Sequence, residues 1–91
     1  EQGNLEARYN IGYFYFRGFG GLPQSYEKAF KLFKSAADLG NIPLSQFSVG
    51  KCFEDGLGVE KSDEQALKYY LLSLKQGFAP VQFAIGRFYF E

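Results

Sequence analysis

The chain repeats itself. Residues 3–40, GNLEARYNIGYFYFRGFGGLPQSYEKAFKLFKSAADLG, lie in register with residues 40–77, GNIPLSQFSVGKCFEDGLGVEKSDEQALKYYLLSLKQG. Gly3, Gly40 and Gly77 are spaced 37 residues apart. Between them Gly12 aligns with Gly50, Gly18 with Gly56 and Ala29 with Ala66. A third copy opens at Gly77 and carries Gly86 and Tyr89 in register. The interior offsets differ by one, absorbed by an extra glycine near Gly21 and an extra residue near Leu44. A period of this length marks a supersecondary unit that cannot bury its apolar face alone and must stack on its neighbours. Most folds are excluded on that ground.

Each unit reads as two helices. Helix A is expected over residues 4–17, 43–55 and 80–91, and helix B over 25–39 and 62–76. Ser25 and Ser62 are N-cap residues whose hydroxyls can accept an orphan backbone N–H. SDEQ at 62–65 has the spacing of a capping box. Pro43 and Pro80 fall near helix starts, where a missing N–H costs little. Gly18, Gly40, Gly56 and Gly77 follow helices, where a left-handed C′ residue favours glycine. Apolar residues recur at helical spacing on helix B: Ala29, Leu32, Phe33 and Ala36, then Ala66, Tyr69, Tyr70 and Ser73 or Leu74. A glycine inside a helix costs about 1 kcal/mol relative to alanine. Gly12, Gly50 and Gly86 recur mid-helix at one unit position, so close approach of helix A to helix B is expected there.

FEDGLGVEKSDEQAL (53–67) holds the parts of a phosphate-binding loop: two glycines, a lysine, a hydroxyl and a helix start. The first unit answers against that reading. RGFGGLPQSYEKAF occupies the same place with Pro23 and Gln24 where the lysine would be, and a helix rather than a strand precedes both. The Gly-x-Gly is the link between helices A and B.

Ninety-one residues suggest one domain, spanning 1–91, or a piece of one. Ten Lys+Arg balance ten Asp+Glu, with no blocks of one sign. A domain built for nucleic acid or an anionic membrane usually shows a basic excess. No apolar run approaches a membrane span and no signal peptide is visible, so direct insertion is not expected. There is no histidine, and Cys52 is the single cysteine, so no disulfide can form within the chain. The commonest general base and the commonest zinc ligand are both missing; no catalytic residue, metal or cofactor is expected. The lone cysteine and the lack of an Asn-x-Ser/Thr sequon favour an intracellular setting, with endoplasmic reticulum or bacterial envelope still open. Glu1 in place of Met suggests a fragment. Eleven Phe and seven Tyr are more aromatic surface than a core this small needs.

The pattern Gly-x3-Ala-x3-Leu-Gly-x2-Tyr-x2-Gly-x-Gly-Val, then Ala-x2-aromatic-Tyr-x2-Ala-Ala-x2-Gly, resembles the Sel1-like repeat, a relative of the tetratricopeptide repeat. Unit one matches through Ala7, Ile11, Gly12, Tyr15, Gly18, Gly20, Ala29, Phe33, Ala36, Ala37 and Gly40. Unit two matches through Val49, Gly50, Phe53, Gly56, Gly58, Val59, Ala66, Tyr69, Tyr70 and Gly77, and departs at Ser45 and Ser73–Leu74, where the family has alanine. The partial third unit matches through Gly77, Ile85, Gly86 and Tyr89. The resemblance implies an all-α, right-handed α-solenoid of antiparallel helix pairs: repeat 1 at about 3–39, repeat 2 at about 40–76 and part of a third at about 77–91. It also implies a scaffold or adaptor that binds a protein or peptide in the concave groove lined by the A helices. A cysteine-rich bacterial subgroup pairs its cysteines within repeats, and Cys52 alone places this sequence outside it.

Carrying groove positions across by the shared Leu-Gly-x2-Tyr core gives two ladders. Tyr9, Phe47 and Phe83 fall three residues before the mid-helix glycine and are expected to stack as an aromatic stripe. Tyr13, Lys51 and Arg87 fall one residue after it and place cations beside the stripe, with Arg17 one turn further on. Aromatic anchors flanked by cations suit a peptide with apolar and acidic side chains. The blander reading is that the stripe packs between A helices. The chain could also serve as a spacer within a longer array or, from a different class, as an enzyme or small-molecule site in the aromatic groove. Weak end-to-end self-association is expected through Phe88, Phe90 and the uncovered side of the last helix. The Ser-x-x-Lys runs at 25–28 and 48–51 lack partner motifs. The acids Glu54, Asp55, Glu60, Asp63 and Glu64 match no EF-hand spacing, and Cys52 reads as a packed thiol.

Overall fold

A computed structural model describes residues 2–90, with side chains described for 4–88. Among the described residues there are five α-helices and no strand: α1 Gln2–Arg17, α2 Tyr26–Gly40, α3 Pro43–Asp55, α4 Asp63–Lys75 and α5 Val81–Phe90. Helices α1 with α2 and α3 with α4 pack as hairpins, α3 packs back on α2, and α5 packs on α4. The result is an all-α solenoid, elongated at 39 × 26 × 18 Å.

The helix ends follow the chemistry of the sequence. The Ser25 hydroxyl accepts from the Lys28 amide and the Ser62 hydroxyl from the Gln65 amide, both at 3.2 Å. Pro43 occupies the first turn of α3, where no N–H is missed. One expected stop is corrected: Gly40 remains inside α2, and Asn41 takes the left-handed turn at φ 52°. Asparagine tolerates that region because its short amide bonds locally. Gly40 is small for another reason, since a Cβ there would press on Leu5 and Ile42 at 3.1–3.2 Å.

The core is laid down twice. Ala29, Phe33 and Ala36 of α2 are buried, and so are Ala66, Tyr69, Tyr70 and Ser73 of α4. Ser73, rather than Leu74, fills the alanine position, and its hydroxyl donates to the Pro43 carbonyl at 2.8 Å. Gly12 lets α1 approach α2: a Cβ would meet Leu32 and Phe33 at 3.1 Å. Gly50 sits tighter still, where a Cβ would overlap the buried Tyr70 ring. At Gly86 that reading fails, because among the described residues nothing lies within 4 Å of a Cβ placed there. No second helix packs on α5 there among the described residues.

The link glycines also have a structural task. Gly58, at φ +74°, brings the α3–α4 turn against the backbone of Tyr26 and Glu27 in the preceding repeat, where a Cβ would overlap the Tyr26 carbonyl. The Lys61 ammonium donates to the Glu54 carbonyl at 2.8 Å, covering the end of α3. The parts that resembled a phosphate loop instead hold two repeats together.

Candidate functional site

Helices α1 and α3 leave an open, apolar pocket of about 210 Å³ between them. Tyr9, Tyr13 and Phe16 of α1 form one wall, Leu44, Phe47, Ser48 and Lys51 of α3 the other, and Phe33 of α2 contributes from behind. Each A-helix aromatic is seated by the B helix of its own repeat. Tyr9 lies 5.2 Å from Phe33 and Phe47 lies 5.8 Å from Tyr70, centroid to centroid. Phe33 and Tyr70 are equivalent residues, so the two repeats hold their anchors alike. Burial raises the Tyr9 phenol above its ordinary value, by more than the neighbouring Ser48 hydroxyl lowers it. Tyr9 therefore stays a neutral donor or acceptor at any physiological pH.

A second opening of about 250 Å³ continues the first toward the helix starts, lined by Glu6, Tyr9, Asn10, Ile42 and Leu44. Tyr9 and Leu44 border both. At the other end Arg17 donates to the Tyr13 hydroxyl at 3.1 Å and lies 5.9 and 5.3 Å from the Tyr13 and Phe19 ring centroids. No ion-pair partner of Arg17 occurs among the described residues. Lys51 sits at the pocket rim, 3.9 Å from Asp55.

The expected site residues divide. Tyr9, Tyr13, Phe47 and Lys51 meet in one pocket, with Arg17 attached through Tyr13. Phe83 does not join them; it is 82% exposed, and no helix among the described residues seats it as Phe33 seats Tyr9. Arg87 is not a spare cation. Its Nη2 donates to both Glu54 carboxylate oxygens, at 2.8 and 2.9 Å. The Tyr70 hydroxyl donates to the same carboxylate at 2.6 Å. Burial works to raise the Glu54 carboxyl, but the Arg87 and Tyr70 bonds and the Arg87 and Lys51 charges outweigh it, leaving it below its ordinary value. Arg87 thus ties α5 to α3, and the Glu54–Arg87 pair borders a polar opening of about 310 Å³ with Lys61, Asp63 and Phe88. Phe33, Ser48 and Asn10 escaped sequence reasoning as pocket residues, although helical spacing from Leu44 reaches Ser48 and the position facing Gly12 is Phe33.

Elsewhere the chemistry is inert. Cys52 is buried, and desolvation with the nearby Asp55 charge pushes its thiol up to about 12, so no thiolate is available near neutrality. No group of three or more His, Cys, Asp or Glu could hold a metal among the described residues. No helix among them is long and apolar enough to cross a membrane.

The Sel1 repeat model matches residues 5–41 and 43–78, so the chain belongs to the Sel1 repeat family. It is 34% identical over 90 residues to a sel1-like repeat-containing protein of Acanthamoeba polyphaga mimivirus, covering 99% of this chain and 15% of that protein. It is 31% identical over 84 residues to chitin synthase regulatory factor 3 of Schizosaccharomyces pombe, covering 92% of this chain and 9% of that one. Among solved structures it superposes on a Sel1 repeat protein from Oxalobacter formigenes with a TM-score of 0.85 and 30% identity, over 91% of this chain and 33% of the other. It superposes on a protective antigen of uropathogenic Escherichia coli strains with a TM-score of 0.90 and 34% identity, over 98% of this chain and 19% of the other. The chain spans a third or less of the length of each of these relatives.

Proposed function

We propose that this segment is a protein-interaction module whose contact surface is the groove between α1 and α3. The observation that supports this most is the apolar pocket bounded by Tyr9, Tyr13, Phe47 and Lys51. A pocket lined by aromatics and rimmed by cations has the composition of an interface hot spot. The chemistry for an enzyme is thin by comparison, with no histidine in the sequence and a thiol held protonated. Peptide-library capture by the wild type beside a Tyr13→Ala, Lys51→Ala double variant tests the reading. Both changes fall on partly exposed side chains, and circular dichroism establishes that both proteins are folded. Ligands held by the wild type and lost by the variant are the expected outcome; equal capture by both contradicts it.

The apolar side chains exposed on α1 and α5 favour a further reading, self-association with a second copy. Ile11 and Phe14 are 46% and 44% exposed, while their equivalents Val49 and Cys52 are buried at 0% and 1% against α2. On α5 the Phe83 ring is exposed. Phe88 is not the free anchor that the sequence suggested, since it packs on Tyr70 at 6.0 Å, and the Phe90 side chain lies outside the described residues. Concentration-dependent sedimentation that Phe83→Ser abolishes is expected. A monomer at all concentrations contradicts it.

A further inference from the structure

We infer that the α1–α3 groove takes an extended peptide with two apolar side chains two residues apart, flanked by a basic group at the Glu6 end and an acidic group at the Lys51 end. This rests on the groove being the contact surface and adds what the surface selects.

The spacing comes from the two openings. Their lining residues are displaced by about four residues along both α1 and α3, roughly 6–7 Å at ~1.5 Å rise per residue. An extended chain places alternate side chains on one face about 6.6 Å apart. One anchor then sits among Tyr9, Tyr13, Phe33 and Phe47, the other between Tyr9, Ile42 and Leu44. The groove length from Glu6 to Arg17 is about 16 Å along α1, enough for about five extended residues.

A helical ligand satisfies its own backbone and needs only an apolar wall, whereas an extended one brings unpaired N–H and C=O groups. The groove supplies partners for these: Asn10 in one opening, Ser48 and the Tyr9 and Tyr13 hydroxyls in the other. The charges are segregated along the same line. Glu6 borders the opening at the helix starts. Lys51 borders the other, with Arg17 held beside Tyr13. Asp55 offsets Lys51 only from 3.9 Å, and Glu54 is engaged by Arg87 and Tyr70. The far end of the groove therefore remains net cationic.

Isothermal titration of the folded chain with capped peptides tests this. The reference probe is acetyl-Lys-Leu-Thr-Phe-Glu-amide. Replacing its Glu by Lys, or inserting two residues to set the anchors four apart, is expected to weaken binding about ten-fold or more. Lys51→Glu is expected to reverse the preference between the acidic and the all-basic probes. That reversal moves with charge and not with folding. Equal binding of the acidic and basic probes, tighter binding of the four-spaced probe, or no binding of the reference probe overturns the inference. The groove reading fails separately, when the Tyr13, Lys51 double variant captures the same library peptides as the wild type.

Discussion

The two junctions between repeats occupy the same place in the unit and hold opposite contents. At the first, Phe16, Phe33 and Lys51 surround an open apolar pocket. At the second, the equivalent residues are Glu54, Tyr70 and Arg87, which close on one another through bonds of 2.6–2.9 Å. One substitution in each pair makes the difference. With phenylalanine at the first position, the cation one repeat on meets no carboxylate across the junction, pairs with Asp55 of its own helix at 3.9 Å and stays at the rim. With glutamate there, the cation is drawn in and spans the junction. A repeat scaffold thus turns the same backbone site into either an apolar pocket or an ion-paired clasp by a change of side chain.

Tests of that comparison begin with the backbone contact at the first junction. Gly58 carries the backbone contact between repeats, so Gly58→Ala combines a left-handed strain with an overlap on the Tyr26 carbonyl. A loss of about 3 kcal/mol in urea unfolding is expected. The equivalent Gly20→Ala meets only the Phe14 ring, at 3.1 Å, and is expected to cost about half as much. Equal losses would remove the inter-repeat role of Gly58.

The clasp comes next. Arg87→Gln leaves the Glu54 carboxylate with fewer donors and is expected to cost about 2 kcal/mol. Glu54 also sets a pH dependence. Its folded carboxyl titrates below its ordinary value, so its contribution is full above the unfolded value of about 4.3 and is lost as pH falls through the lower folded value. Acid unfolding of Glu54→Gln compared with wild type reads that contribution directly, and identical profiles would show that the clasp is not electrostatic.

The mid-helix glycines give opposite signs at one unit position. Gly50→Ala forces a methyl into the buried Tyr70 ring and is expected to cost about 1–2 kcal/mol net of the gain in helix propensity. Gly86→Ala meets nothing within 4 Å among the described residues and is expected to stabilise α5 by up to about 1 kcal/mol. The smallest effect belongs to Ser45, whose fully buried hydroxyl has no hydrogen-bond partner among the described residues. Ser45→Ala removes an unsatisfied group at a position where alanine fits, and a gain of about 1 kcal/mol in thermal unfolding is expected.

The fold was legible because repetition supplies its own controls. A Gly-x-Gly with a lysine is ambiguous once, but the first copy without the lysine settles its role as a link. The caps at Ser25 and Ser62 and the extent of α3 were readable from local chemistry alone. Gly40 was misread because two reasons for glycine, a left-handed turn and a close contact, look the same in sequence. Asn41 took the turn and left Gly40 the contact. The candidate site was half legible. Tyr9, Tyr13, Phe47 and Lys51 fall together because their unit position faces the gap between A helices. Phe83 and Arg87 share that position, yet their surroundings depend on residues elsewhere: a B helix to seat Phe83, and Glu54 to engage Arg87. Position within a repeat is local information, whereas the neighbour across a junction is not.

The most direct test of an apolar first junction and an ion-paired second is amide chemical-shift mapping of the labelled chain during titration with a peptide captured by the wild type. Shifts concentrated on residues 6–17 of α1 and 44–51 of α3, with the amides of α5 unmoved, are expected. Shifts centred on α5 and the Glu54–Arg87 junction, or on the outer faces of α2 and α4, would contradict the account.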